Sequence, residues 1–520
     1  MIDCIVVGAG HNGLVTAAYL ARQGYDVLVL EAGDRVGGAA ISAEVFPGIG
    51  ARLSKYSYLV SLLPHRIAQD LQIDVPLTRR RVASYTPDPR DPARGLVIPS
   101  GDATAVAASI ESFTGDAKQA WAWQDFYART ERMAEVVFPS LLEPLVSRDQ
   151  MRSRLDPNDW RDFIERPLGE VIESSIDDDV MRGIVLTDGL IGTFARAHDA
   201  SLYQNICFLY HVIGQGTGQW DVPVGGMGAI TAQLADRVTQ AGGRILTSAE
   251  VVAISSAPEG VEVLVREGDA QVRFTARTLA ANCAPAVLDR LLGRPQTPIA
   301  RRDAGAQIKV NMLLARLPRL RDTTVNPVDA FSGTFHVNEG YRQLEKAYTD
   351  ASAGRLPDPL PAEIYCHSLS DPSILSKDLQ QQGVQTLTLF GLHSPHDLFH
   401  QGTVDADAVL AAVQRTLDSV LAEPIADCLY SDGLGRPCIE VNTTKDIERD
   451  LRIPTGNIFH TPLAWPWANT SGEVGTWGVE TDDPNIVVCG SGATRGGGVS
   501  GIPGHNAAQR LATKLASTGA

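Results

Sequence analysis

A glycine triplet between a buried strand and a helix limits the fold of this 520-residue chain more than any other feature. Ile2 to Val7 is an apolar run, and Gly8-x-Gly10-x-x-Gly13 follows it directly. Apolar residues then recur at helical spacing as far as Arg22, and a second apolar run, Asp26 to Leu30, ends at Glu31. Strand, glycine turn, helix and strand in this order predict a βαβ unit of a parallel, doubly wound sheet.

Each glycine of the triplet has a physical reason in a nucleotide site. Gly8 permits the tight turn, Gly10 lets a pyrophosphate approach the backbone, and Gly13 lets the helix pack closely on the strand. The helix N-terminus then offers free N–H groups to the phosphates. Glu31, 18 residues after Gly13, is placed to accept hydrogen bonds from ribose hydroxyls. A carboxylate there disfavours a 2′-phosphate, which argues against NADP at this site.

A second motif, Asp34-Arg35-Val36-Gly37-Gly38-Ala39, favours FAD over NAD. Arg35 is expected beside the pyrophosphate, and the two glycines let the chain pass close to the dinucleotide. A third motif lies near the C-terminus, where seven of the fifteen residues from Gly490 to Gly504 are glycine. It joins a predicted strand to a final helix from about Asn506, whose N–H groups would face the pyrimidine edge of a flavin.

The rest of the chain predicts a second domain inserted into the first. Residues 104–213 have helical periodicity around Ile110, Trp121, Phe126 and Met133. Pro- and Gly-rich residues 87–101 and 354–361 are interpreted as loops. The remaining predicted strands are 244–254, 261–266, 271–276 and 278–283 for the first domain, and 305–316, 361–369 and 384–393 for a second sheet. The predicted nucleotide domain comprises 1–75, 220–300 and 455–520, with a substrate domain at 76–219 and 301–454.

Composition excludes several classes of function. The formal charge of −16 argues against a nucleic-acid partner or an anionic lipid surface. The sequence has no apolar run long enough to cross a bilayer, and no secretory signal is expected because Ile2 to Val7 already has the pattern of a buried strand. The seven cysteines have no C-x-x-C spacing, so neither a redox dithiol nor a metal site is predicted. A reduced, cytoplasmic setting is expected.

At these motifs the chain resembles the phytoene-desaturase-like branch of the FAD-dependent amine oxidase superfamily, with pyridine nucleotide–disulfide oxidoreductase domain-containing proteins and related carotenoid ketolases as nearest likenesses. The resemblance covers nearly the whole length. Its segments are Val7 to Gly13, Glu31 to Gly38, Leu53 to Tyr58, Pro223 to Gly228, Gly456 to His460 and Gly490 to Asn506. It implies an α/β fold, with a Rossmann-type FAD-binding domain of the glutathione-reductase type and an inserted α+β substrate domain.

The resemblance also implies residue roles. Lys309, a charge inside the apolar strand Ala306 to Val310, would hold a water near the flavin; a lysine on an exposed strand face is the alternative. The resemblance leaves two alternatives for His460: its imidazole lies over the flavin, or it is hydrogen-bonded within a loop. The residues expected to bind FAD are Gly8, Gly10, Asn12, Gly13, Glu31, Ala32, Arg35, Gly37, Gly38, Ala39, Val251, Gly490, Gly492, Gly498, Val499 and Ser500.

The function expected is therefore an FAD-dependent dehydrogenase, desaturase or oxidase that takes a hydride from a C–H bond of a small organic substrate. With one dinucleotide fingerprint, the electrons are expected to leave to oxygen, a quinone or another carrier. A homodimer is compatible with the sequence. A redox-neutral FAD-dependent isomerase and a non-catalytic binding protein of the GDP-dissociation-inhibitor type remain as alternatives.

Three features differ from the sequences that the chain resembles. Trp465, Trp467 and Trp477 occupy a loop that either lines the pocket, which would favour a flat aromatic or polar substrate, or packs against itself. Arg495 and His505 replace the residues usual at those positions.

Overall fold

The computed structural model describes residues 1–268, 270–400, 402 and 404–518. Its strands are β1 (Ile2–Val7), β2 (Val27–Leu30), β3 (Ser42–Ala43), β4 (Leu53–Ser54), β5 (Leu77–Thr78), β6 (Val82–Asp88), β7 (Asp91–Pro99), β8 (Val222–Pro223), β9 (Arg244–Leu246), β10 (Glu250–Ala257), β11 (Gly260–Glu267), β12 (Ala270–Ala281), β13 (Ile308–Leu314), β14 (Thr334–Val337), β15 (Ala362–Tyr365), β16 (Gln385–Gly391), β17 (Ile439–Asn442) and β18 (Ile486–Val488).

Its α-helices are α1 (His11–Arg22), α2 (His65–Asp70), α3 (Ala103–Thr114), α4 (Ala117–Ser140), α5 (Arg148–Arg152), α6 (Pro157–Trp160), α7 (Leu168–Ser175), α8 (Asp179–Thr187), α9 (Tyr203–Val212), α10 (Met227–Gln240), α11 (Pro285–Leu291), α12 (Pro327–Ser332), α13 (Tyr341–Ser352), α14 (Lys377–Gln381), α15 (Asp397–His400), α16 (Ala406–Asp418), α17 (Thr444–Leu451) and α18 (Ile502–Thr518).

The first sheet has the order β10-β11-β12-β1-β2-β9, and β18 pairs with β12. Strands β1, β2, β9 and β18 are parallel to their neighbours, whereas β10, β11 and β12 form an antiparallel meander. Strands β1, β2 and β18 are largely buried on both faces, which explains their runs of Val, Ile and Leu, whereas β9 at the sheet edge is partly exposed. Strands from three distant stretches of the chain thus build one α/β layer, as the βαβ unit predicted.

The second sheet has the order β17-β13-β16-β15-β14-β6-β7 and is antiparallel except where β14 meets β6. One face packs with α12, α15 and α16 in a core that includes Ile308, Val310 and Leu389. The other face contributes polar and aromatic side chains to the site described below.

Three local predictions were wrong. Residues 87–101, interpreted as a loop, are mostly strand, because the hairpin β6–β7 turns at Pro89-Arg90 and the prolines at 87, 92 and 99 fall where an edge pair tolerates them. Strand β12 is continuous where two strands were predicted; its first half pairs with β11 and its second half with β1 and β18. The final helix begins at Ile502, four residues early.

Residues 104–213 are mainly helical, as predicted. Helix α3 starts where the Asp102 carboxylate accepts hydrogen bonds from the N–H groups of Thr104 and Ala105, and it ends at Gly115 with φ +73°. Phe126 and Met133 of α4 are buried as predicted, but Trp121 is 73% exposed and lies outside the buried face of the helix. Among the described residues, no helix combines the length and apolarity needed to cross a membrane.

Candidate active site

A cavity of about 840 Å³ extends from the glycine turn of the first sheet to the polar face of the second. Gly8 and Gly10 lie at one end, and Lys309 and Phe390 of the second sheet line the other wall. Ligand sites in proteins commonly have this size and lie between structural layers.

The glycine turn is shaped for close packing. Gly8 has φ +99°, and its N–H donates to the backbone oxygen of Leu30. A Cβ on Gly13 would lie 2.3 Å from the Gly8 oxygen, so only glycine lets α1 approach the strand this closely. Gly10 precedes the first turn of α1 without a side-chain cap, so the N–H groups there are free to face an anion.

Glu31 holds the turn as well as facing the cavity. Its Oε2 accepts a hydrogen bond of 2.7 Å from the N–H of Ala9, and its Oε1 accepts one of 2.8 Å from the N–H of Gly33. A carboxylate has about four acceptor positions, so both oxygens keep capacity for ribose hydroxyls.

Of the residues predicted to bind the cofactor, ten line the cavity and the others lie outside its wall. Gly37 packs near the turn and donates to the Ala9 oxygen, Gly490 and Gly492 pack against residues 282–285, and the Ser500 hydroxyl accepts from the N–H of Ile502. The side chain of Arg35 is 64% exposed and pairs with Asp34, away from the cavity. The cavity wall includes Gly8, Gly10, Asn12, Glu31, Ala32, Gly38, Ala39, Val251, Gly498 and Val499.

Three polar atoms near the glycine turn have no hydrogen-bond partner although they are shielded from solvent: His11 Nε2, Asn12 Oδ1 and His460 Nδ1. All three residues line the cavity. Burial lowers the pKa of His460 to about 4, and burial together with the charge of His460 lowers the pKa of His11 to about 4. Unpaired buried polar atoms are costly, so these atoms indicate a polar ligand. His11 carries no sequence signal beyond its position inside the glycine motif.

Lys309 is buried in the cavity wall. Its Nζ donates 2.6 Å to the backbone oxygen of Tyr56 and 3.4 Å to that of Ser54, and lies 4.1 Å from the centre of the Tyr58 ring. Burial holds the pKa of Lys309 well below its usual value. The alternative of a lysine on an exposed strand face is wrong, since only 2% of the residue is exposed.

Residues 13–349 match the family model described as flavin containing amine oxidoreductase. The chain belongs to this family. It is an FAD-dependent oxidoreductase, which agrees with the resemblance seen in the sequence and favours an enzyme over the non-catalytic binding protein.

Relatives span nearly the full length of this oxidoreductase. An uncharacterised protein of Mycobacterium tuberculosis is 48% identical over 530 residues, covering 99% of this chain and 98% of its own. Pyridine nucleotide-disulfide oxidoreductase domain-containing protein 2 of Rattus norvegicus is 28% identical, covering 97% of this chain and 92% of its own. Cyclohexylamine oxidase from Brevibacterium oxydans shares the fold, with a TM-score of 0.59, 15% identity and 99% of both chains covered.

The seven cysteines of this FAD-dependent oxidoreductase are free. Burial raises the pKa of the Cys207, Cys283 and Cys366 thiols to about 12, far from the thiolate that a redox dithiol requires. These three thiols are therefore protonated near neutral pH.

The three loop tryptophans of the oxidoreductase pack against other aromatic rings and do not line the cavity. Trp465 stacks on Trp467 at 5.0 Å between ring centres, and Trp467 contacts Trp160 at 5.2 Å. Trp477 lies edge-on to His505. Packing is therefore the correct alternative for this loop, which removes the argument for a flat aromatic substrate. The loop residue that does reach the cavity is Leu463.

Hydrogen bonds to backbone oxygens account for the buried position of Arg495. Its buried guanidinium donates to the backbone oxygens of Pro466 and Leu141, each at 3.2 Å, and to that of Glu143. It ties the tryptophan loop to the end of α4 and does not line the cavity.

Four side chains form a row across the second sheet of the oxidoreductase, on the face that lines the cavity. Lys309 lies opposite Phe390, Phe390 opposite Glu363, and Glu363 opposite His336 on successive antiparallel strands. Directly opposite residues point to the same face, and all four line the cavity. Sequence reasoning missed Glu363 and His336, although each is an ionisable residue within an apolar strand, the same signal that marked Lys309.

The far end of this row carries strongly perturbed carboxyl groups. Burial, with the charge of Glu339, raises the pKa of Glu363 to about 8. Burial also raises the pKa of Asp188. Burial opposes protonation of His336, but the carboxylate of Glu339 outweighs it and raises the pKa of that imidazole. Such perturbed groups in a cavity are typical of functional sites.

Proposed function

We propose that this FAD-dependent oxidoreductase removes a hydride from a C–H bond of a small organic substrate held against the polar face of the second sheet. Bound FAD supplies the hydride acceptor. What supports the proposal is the single cavity wall shared by the glycine turn and Lys309.

The residues that would hold FAD fit it. The uncapped start of α1 and the Gly10 backbone suit a pyrophosphate, and the spare acceptor positions of Glu31 suit a ribose. The unpartnered atoms of His11, Asn12 and His460 leave room for polar groups of the cofactor. The imidazoles of His11 and His460, each with a pKa lowered to about 4, are neutral near pH 7 and therefore add no positive charge to the site.

Lys309 is proposed as a positioning group for water and charge. Its Nζ donates to two backbone oxygens and faces the Tyr58 ring, and burial holds the pKa of Lys309 well below its usual value. It can hold a water by hydrogen bonding without acting as a nucleophile. His460 is proposed to lie over the cofactor from the loop that follows Gly456.

We further propose that the cofactor domain comprises 1–75, 220–300 and 455–520 and that the substrate domain comprises 76–219 and 301–454. The strand composition of the two sheets supports this division. Oxygen, a quinone or another carrier is proposed as the electron acceptor.

The test is a substrate screen with purified, FAD-containing protein under anaerobic conditions. A substrate should bleach the flavin absorbance near 450 nm, and its product should be lighter by two hydrogen atoms. A product of unchanged mass, with turnover that needs no acceptor, would replace the proposal with the redox-neutral isomerase.

A further inference from the structure

Three potential metal ligands converge at the far end of the cavity. His336, Glu339 and Glu363 each present one nitrogen or oxygen atom within 4.8 Å of the others. The three residues are 5%, 0% and 5% exposed. Two of them, His336 and Glu363, line the cavity, so the cluster is reachable from it.

The backbone creates this convergence. His336 on β14 lies directly opposite Glu363 on β15, so both side chains leave the sheet on the same face. After β14, Asn338 adopts a left-handed conformation with φ +58°, and the chain turns so that Glu339 comes back to His336. The His336 Nδ1 and the Glu339 Oε2 are 2.6 Å apart.

Hydroxyl groups orient both carboxylates. Thr187 donates 2.9 Å to the Oε2 of Glu339, and Tyr365 donates 2.7 Å to the Oε2 of Glu363. Metal ligands in proteins are usually held by such outer hydrogen bonds.

One carboxylate oxygen is left without a partner. The Oε1 of Glu339 is inaccessible to solvent and makes no hydrogen bond. The carboxyl group of Asp188 also interacts electrostatically with Glu339 and His336. Three carboxyl groups thus surround one imidazole, with the Arg80 guanidinium near Glu363. Buried negative charge of this kind needs a cation or retained protons.

We propose that His336, Glu339 and Glu363 bind a divalent transition-metal ion. One imidazole nitrogen and two carboxylates suit Zn²⁺ or Mn²⁺, and a ligand set of three leaves a coordination position for water or a substrate atom. The ion would take the place of the proton between His336 and Glu339. The unpartnered Oε1 of Glu339 would then coordinate the ion.

The position of the ion relative to Lys309 limits its role. His336 is three strands away from Lys309 along the row, or roughly 14 Å at the usual strand spacing. The ion would therefore hold an oxygen or nitrogen of the substrate remote from the oxidised carbon. This role rests on the proposed function, whereas metal binding itself does not.

The experiment measures metal in the resting, FAD-containing protein without substrate. The protein is treated with EDTA, incubated with ZnCl₂ or MnCl₂, freed of unbound metal by gel filtration and analysed by plasma mass spectrometry. We expect one ion per chain. Electron paramagnetic resonance of bound Mn²⁺ should show coupling to one imidazole nitrogen, which His336→Ala should abolish.

Glu339→Gln and Glu363→Gln keep the size of the side chains and should weaken metal binding at least tenfold. The matched control is Glu448→Gln, which alters the His396–Glu448 pair near the surface and should retain the ion. The proposal is overturned if the wild-type protein retains no metal, or if the Glu339→Gln/Glu363→Gln double variant retains as much as the control. Flavin absorbance and melting temperature report whether each variant is folded, and a failed substrate screen would leave these metal measurements unchanged.

Discussion

The Nζ of Lys309 donates a 2.6 Å hydrogen bond to the backbone oxygen of Tyr56. Strand β13 of the second sheet is thereby joined to the chain just after β4, on the wall of the cavity that begins at the glycine turn. This contact places a buried amine where the two sheets face each other.

Replacing Lys309 by Met should slow reoxidation of the reduced flavin about tenfold or more, which corresponds to roughly 1.4 kcal/mol in activation free energy. The variant keeps the apolar stem but loses the group that holds water and charge in the cavity. Stopped-flow mixing of dithionite-reduced protein with oxygen or a quinone measures the rate. Lys118→Met, an exposed position on α4, serves as the control. Unchanged rates with both acceptors would remove Lys309 from the active site.

Gly13→Ala should disturb the cofactor turn through packing alone. The added Cβ would lie 2.3 Å from the Gly8 oxygen, and neither backbone segment can yield without moving α1 from its strand. Overpacking of this kind costs about 1–3 kcal/mol, so we expect a lower melting temperature and a reduced FAD content. The ratio of flavin to protein absorbance gives the latter. At Gly472 a Cβ meets open space, so Gly472→Ala should behave as wild type.

Glu31 and Arg35 should differ sharply in their effect on FAD affinity. Glu31→Gln puts an amide N–H₂ where an oxygen now accepts from a backbone N–H, so FAD should bind at least tenfold more weakly. Arg35→Ala removes an exposed side chain outside the cavity wall and should change the affinity by less than about threefold. Fluorescence titration of the apoprotein with FAD measures both. A large loss in Arg35→Ala would show that its side chain turns toward the cofactor on binding.

His393 should make stability depend on pH in the acid range. Burial lowers the pKa of His393 to about 3, below the value near 6.5 expected in the unfolded chain. The unfolded state therefore binds the proton first, and the free energy of unfolding should fall by about 1.4 kcal/mol per pH unit between pH 6.5 and 3 because of this group. Asn tolerates the φ of +50° at this position, so His393→Asn should reduce that slope.

Urea unfolding of the FAD-containing protein at several pH values measures the slope, and exposed His65→Asn provides the control. Equal slopes in wild type and His393→Asn would show that the His393 imidazole is not held neutral by burial.

Local patterns sufficed for the βαβ unit of the first sheet. The apolar run Ile2–Val7, the glycine triplet and the following helix define a βαβ unit by short-range sterics, and the structure has these elements within a few residues of their predicted bounds. The sequence indicated Lys309 because a charge inside an apolar strand is unusual, but it did not show that the side chain is buried. The hairpin β6–β7 was missed because its prolines indicate loops unless the pairing partner is known.

The cofactor turn and the family could be predicted from the sequence, because spacing along a strand, a turn and a helix is a local property of the chain. Which distant side chains share a space depends on long-range contacts that appear only in the folded protein. The pairing register places His336, Glu363, Phe390 and Lys309 in one row. Long-range packing places Trp467 in the core, with Trp465 and Trp477 packed against that core. Register depends on contacts between strands far apart in sequence, and a shift of one residue would have turned every side chain of that row to the opposite face.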